Sequence, residues 1–103
     1  MQSINEKLIE EFKLKPFQVE NAIKLIDEGN TIPFIARYRK EATGQMSDEQ
    51  LRDMFDRLNY LRNLATRKEE VIRLIDEQGK LTEDLQNEIE KAETMTEVED
   101  LYR

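Results

Sequence analysis

Apolar residues recur along this chain at steps of three and four, the pattern of helices that bury one stripe. Ile4, Leu8, Ile9 and Phe12 share a face, and Ser3-Ile4-Asn5-Glu6 ahead of them fits a capping box. A helix is expected over 3–13. Pro16 suits the first turn of a second helix, over 16–28, whose stripe is Val19, Ala22, Ile23 and Ile26 and which ends at Gly29, a natural left-handed cap. Asn30-Thr31-Ile32-Pro33 then turns into a short helix over 32–38, broken by Ala42-Thr43-Gly44. Phe34, Ile35 and Tyr38 lie three and four apart, and all three are expected to be buried.

The middle of the chain reads as one long helix over 47–78. Ser47-Asp48-Glu49-Gln50 forms a second capping box, with Met46 packing on Leu51 as a staple. Leu51, Met54, Leu58, Leu61, Ala65, Ile72 and Ile75 follow a heptad seam that only Lys68 interrupts. Unbroken to Gly79, such a helix is roughly 45 Å long at ~1.5 Å per residue. Phe55, Leu64 and Val71 widen the stripe beyond a two-stranded seam. The helix is therefore read as a spine for the shorter ones rather than as a dimerising coil. Asp48–Arg52, Asp53–Arg57 and Glu69–Arg73 are spaced to pair along it. Two short helices follow, over 82–93 behind Thr82 and over 96–102 behind a capping box at Thr96-Glu97-Val98-Glu99. No segment alternates with a period of two. The fold class is all-α, one domain over 1–103, with short helices in 1–46, the long helix in 47–79 and two short helices in 80–103.

Composition narrows the chemistry. The chain has 103 residues, 38% hydrophobic and 38% charged, with no Cys, His or Trp. Thiolate and imidazole ligands for zinc, iron–sulfur or haem are missing, as are cysteine and histidine catalysts. No run approaches the ~18 apolar residues of a membrane span. Residues 1–15 have no basic start followed by an apolar stretch, so no secretory signal is read. A soluble, cytoplasmic module without membrane partners is expected. The net charge of −7 is uneven: residues 1–46 are neutral, 47–79 carry −2 and 80–103 carry −5. An acidic end repels phosphate backbones, which argues against a general grip on nucleic acid. The chain stops inside an amphipathic pattern without a Gly, Pro or polar tail, and is read as the front of a longer protein.

Carboxylate pairs are many: Glu10-Glu11, Asp27-Glu28, Glu69-Glu70, Asp76-Glu77 and Glu99-Asp100. Neighbours on a helix point about 100° apart, and these sit among other charges, so they read as a solvated face rather than an acid–base pair. There is no Asp-x-Asp or EF-hand spacing for a metal and no Gly-rich loop for a phosphate. No catalytic residue, cofactor or metal site is expected. The segment Ile32 to Lys40 differs in kind, because it joins an apolar anchor to Arg37, Tyr38, Arg39 and Lys40. Such a cluster can hold phosphates and stack on bases. It can equally clamp carboxylates of a neighbouring domain. The bland alternative is a snorkelling surface around one buried tyrosine.

From Asp27 through Gly44 (Asp-Glu-Gly-Asn-Thr-Ile-Pro-Phe-Ile-Ala-Arg-Tyr-Arg-Lys-Glu-Ala-Thr-Gly) the chain resembles the N-terminal domain of the bacterial Tex family. A second block agrees: Arg67-Lys68-Glu69, Glu77-Gln78-Gly79-Lys80-Leu81-Thr82, Thr94 and Glu99-Asp100-Leu101-Tyr102. The family comprises transcription accessory proteins related to a eukaryotic elongation factor. Its members run on into a Pro- and Lys/Arg-rich stretch, a nuclease-like domain, helix-hairpin-helix units and an RNA-binding OB-fold. The resemblance implies a helix-turn-helix-like front part and a long central helix. It also implies a nucleic-acid-binding protein whose main RNA surface lies outside this stretch, and no inherited catalysis. The second helix carries Lys24 against Glu20, Asp27 and Glu28, unlike a helix that reads DNA bases. Two functions stay open. One is a non-catalytic scaffold that contacts other domains of its own chain or the transcription machinery. The other is direct binding of RNA, or of DNA, through Arg37 to Lys40.

Overall fold

A computed structural model of the chain describes residues 3–103, which form six helices and no strand. The helices are α1 (Ile4–Phe12), α2 (Pro16–Asp27), α3 (Ile32–Tyr38), α4 (Asp48–Glu77), α5 (Glu83–Lys91) and α6 (Met95–Tyr102). The all-α expectation holds, with each boundary within two residues of the one read from caps and stripes. They fall into two compact units, one through Tyr60 and one from Leu61 to Arg103.

In the first unit the local signals act as read. Ser3 Oγ accepts the Glu6 amide at 3.1 Å while the Glu6 carboxylate accepts the Ser3 amide at 3.4 Å. After α2 the Gly29 amide bonds the Ile26 carbonyl and the Asn30 amide bonds Leu25, with Gly29 at φ 97°. That pair of bonds is the Schellman ending, and its left-handed residue favours glycine. Ser47 and Gln50 exchange the two bonds of a capping box at the start of α4. α1 packs on α2 and α2 on α3. Leu8, Val19, Ala22, Ile35, Met46, Leu51, Met54, Phe55 and Leu58 are buried. Arg57 of α4 ties α1 down by gripping Glu11 with Nε and Nη2, both at 2.9 Å. This bond, helped by the charge of Arg57, holds the Glu11 carboxyl below its usual range.

In the second unit α5 packs on α6, and Leu61, Leu64, Val71, Ile75, Ile89, Ala92 and Val98 are buried. The seam therefore runs through Leu64 and Val71, while Ala65 is exposed and Ile72 half-buried. Leu64 and Val71 each stand about 100° around the helix from Ala65 and Ile72, so the buried face of α4 in this unit lies on the side that Leu64 and Val71 widen. Lys68, the interruption, donates from Nζ to the Glu90 carbonyl at 2.8 Å, capping the last turn of α5. Arg67 reaches Glu99 of α6 with Nε at 2.5 Å and Nη2 at 3.0 Å, and Glu70 with Nη1 at 2.6 Å. That grip lowers the pKa of Glu99 and raises that of Arg67.

Two further expectations are corrected. The last helix is capped by Thr94, whose Oγ1 accepts the Glu97 amide at 3.1 Å, and Thr96 lies inside the helix. Thr94 also stands three residues before a glutamate, and the Glu97 carboxylate folds back onto the Glu93 amide at 3.1 Å. Along α4, Asp48 and Arg52 pair as read, whereas Arg73 pairs with Glu77 at 3.1 Å rather than with Glu69. Among the described residues no helix is long and apolar enough to cross a membrane.

Candidate functional site

The site grows out of α3 and the loop after it. Thr31 caps α3, its Oγ1 accepting the Phe34 amide at 3.3 Å, and Pro33 stands in the first turn, where no intrahelical amide is needed. Seven residues make barely two turns, so tertiary contacts must hold the helix. Ile35, fully buried, supplies that anchor. Tyr38 does not share it. Tyr38 is 57% exposed, and Phe34 is half-buried. Tyr38 is the last residue of α3 and lies exposed at the helix end, three residues beyond the buried Ile35. The buried-tyrosine reading is thereby excluded.

What the rings do instead is stack with guanidinium groups. Phe34 and Tyr38 lie 5.2 Å apart, tilted by 47°. Cζ of Arg39 lies 5.1 Å from the Phe34 centroid, and Cζ of Arg37 lies 5.4 Å from that of Tyr38. Both are within the ~6 Å at which a ring's quadrupole attracts a cation. The four side chains form a ladder in the order Arg39, Phe34, Tyr38, Arg37. Arg39 also donates from Nη1 to the Tyr38 carbonyl at 3.0 Å. Lys40 is exposed beside them, and Arg37 to Ala42 line an open cleft of about 470 Å³. The structure thus brings Arg37, Tyr38, Arg39 and Lys40 to one surface.

The backbone under this surface is locked. The Gln45 amide bonds the Lys40 carbonyl at 2.7 Å and the Thr43 amide bonds that of Arg39 at 3.3 Å. Thr43, fully buried, adds its hydroxyl to both carbonyls at 3.4 Å. α2 clamps the loop from the other side. Gln18 donates from Nε2 to the Thr43 carbonyl at 2.9 Å and to that of Gly44 at 3.4 Å, and Asn21 donates from Nδ2 to that of Ala42 at 2.8 Å. Gln18 is itself positioned, since its Oε1 accepts the Lys15 amide at 2.9 Å. The reading of the sequence passed over Gln18 and Asn21. Their one signal is two amide side chains three apart, beside the buried Val19 and Ala22.

The adjacent carboxylates have a different fate. Glu11, Glu70, Glu77 and Glu99, one from each of four such pairs, sit in ion pairs with arginines.

Comparison with known proteins decides the family. Residues 2–76 match the family model described as the Tex-like protein N-terminal domain. The chain belongs to this family. It is 51% identical over 100 residues to the transcriptional accessory protein Tex of Neisseria gonorrhoeae, covering 97% of this chain and 13% of that protein. Protein YhgF of Escherichia coli is 53% identical over 92 residues, covering 89% of this chain and 12% of its own length. The human S1 RNA-binding domain-containing protein 1 is 35% identical over 92 residues, covering 89% of this chain and 9% of its own. This Tex-like N-terminal domain therefore spans a small fraction of the relatives it matches. The Asp27–Gly44 block that carries α3 and its ladder lies wholly inside the matched stretch.

Proposed function

We propose that this Tex-like N-terminal domain is a non-catalytic, cytoplasmic interaction module, and that it serves a longer nucleic-acid-binding transcription accessory protein as a scaffold. The observation that carries the reading is the ladder on α3: an exposed, cationic and aromatic surface on a locked backbone. Such a surface loses little side-chain freedom when something docks on it. The chain has no Cys or His to serve as nucleophile or general base, and its carboxylates lie among other charges, which supports a binding role over catalysis. Other domains of the same chain, or the transcription machinery, are its partners in this reading.

The second reading is direct binding of RNA or DNA by Arg37, Tyr38, Arg39 and Lys40. It draws on the exposure of Tyr38, since an exposed aromatic ring beside an arginine is a group on which a base can stack. A chimera in which this domain replaces the matching stretch of the Neisseria gonorrhoeae protein separates the two. Charge reversal of Arg37 and Arg39 to Glu should open new protease sites between the domain and the remainder while RNA affinity stays nearly unchanged. Lost RNA affinity with unaltered protease resistance would refute the scaffold reading.

A further inference from the structure

Among the described residues an arginine lies over an aromatic ring four times, and in two of these it also grips a carboxylate. Arg57 lies with Cζ 5.2 Å from the Tyr60 centroid and grips Glu11 with Nε and Nη2. Arg67 lies 5.4 Å from the Tyr102 centroid and grips Glu99 with the same two nitrogens. In each, the guanidinium carbon lies over a ring while a carboxylate accepts from Nε and Nη2. Arg39 over Phe34 and Arg37 over Tyr38 repeat the ring contact at 5.1 and 5.4 Å. Neither has a carboxylate among the described residues. Arg39 uses Nη1 for the Tyr38 carbonyl, and Nε and Nη2 of this exposed side chain hold no carboxylate among the described residues.

Resting on the docking role proposed above, we infer that the occupant of this surface is an acidic protein segment, whose two carboxylates are gripped by Arg37 and Arg39 with Tyr38 between them. Carboxylate geometry fits because a planar fork meets two coplanar oxygens, the pairing this domain already uses twice. A nucleic acid strand fits less well. It carries a charge at every nucleotide, whereas the cluster offers three cations followed at once by Glu41. Few phosphates could be neutralised before the strand met like charge. A short acidic segment stays within the cationic patch, and the Tyr38 ring gives an apolar side chain of that segment a flat surface to lie on.

The test is a titration of the 103-residue chain with an acetylated peptide of alternating Glu and Asp around one Phe, against a single-stranded RNA of equal charge, read by fluorescence anisotropy. The peptide should bind more tightly than the RNA. R37K/R39K keeps the charge but loses the fork and the stacked geometry, and should weaken the peptide roughly tenfold. Y38A should weaken it as well, whereas Y38F, which keeps the ring, should not. Far-ultraviolet circular dichroism of each variant shows that the helices persist. Wild-type affinity in R37K/R39K, or RNA binding tighter than peptide binding, overturns the inference. So does failure of the peptide to bind. Should the charge-reversed chimera still open new protease sites in that case, the docking role survives and only the acidic partner falls.

Discussion

Gly44 is the point at which the loop beneath the site is most sensitive, and its replacement by Ala has a worked consequence. Gly44 has φ +63°, a conformation that costs an L residue about 1–2 kcal/mol. A Cβ there would also stand 2.6 Å from Gln18 Nε2 and 3.0 Å from Gln18 Cδ and Cγ. The Gln18 side chain can swing away, but only by releasing the Thr43 and Gly44 carbonyls, a loss of about 1–2 kcal/mol for a part-buried amide clamp. G44A should therefore cost about 2–4 kcal/mol, adding the strain and the lost clamp. Q18A alone removes the clamp and should cost about 1–2 kcal/mol. In the double variant the clamp is lost only once, so the two single costs must overcount by about 1–2 kcal/mol. Urea unfolding of the four proteins gives this coupling, and exchange of the Gln45 amide, bonded to the Lys40 carbonyl, reports it locally. Additivity within ~0.5 kcal/mol would show that Gln18 and Gly44 act independently and that the clamp does not hold the loop.

Two further outcomes follow from burial and charge. Ile35→Ala should cost about 2–5 kcal/mol in urea unfolding because Ile35 is fully buried, whereas Tyr38→Ala should stay within ~0.5 kcal/mol because Tyr38 is 57% exposed; equal losses would contradict the placement of the two side chains. The Glu11 carboxyl is held low by its bond to Arg57, so its stabilising effect is complete above the ordinary carboxylate range and fades as pH falls through the lowered value. With both side chains more than a third exposed or nearly so, the effect is at most about 1 kcal/mol. R57M should flatten the acid-side fall in stability of the first unit, and an unchanged pH profile would count against the pair.

Much of this fold was legible because its signals are local. The Ser3 and Ser47 capping boxes, Pro16 at a helix start and Gly29 past a helix end each act within a few residues, and each is seen as read. The misreadings arise where a local pattern has a rival close by. Thr94 and Thr96 both precede a glutamate by three residues, and only packing selects between them. Leu64 and Ala65 are neighbours about 100° apart on the helix, and the packing of the second unit decides which of them is buried. Tyr38 shows a different limit. Its spacing from Ile35 is helical, but it is the last residue of α3, and the stripe carries no information on where the neighbouring helix stops covering it. The clamp was the least legible part, since Gln18 and Thr43 are 25 residues apart in sequence and nothing in either segment names the other.

The order in the loop and the chemistry of the surface belong to one argument. Arginine side chains lose about 2 kcal/mol of rotamer freedom when fixed, which usually offsets much of an exposed ion pair. Here part of that loss occurs on folding. Ile35 fixes the helix, Gln18, Asn21 and Thr43 fix the backbone beyond it, and Phe34 and Tyr38 hold the two guanidinium planes. A partner therefore meets groups already near their bound geometry, and its affinity depends on shape as well as on charge. The same reasoning explains why loop and ladder variants should behave differently. Loosening the clamp with Q18A restores freedom to Arg39 and Lys40 without removing any contact group, so it should weaken docking less than removal of a ring or a fork and should leave its salt dependence unchanged. A ladder variant that removes a cation must change both.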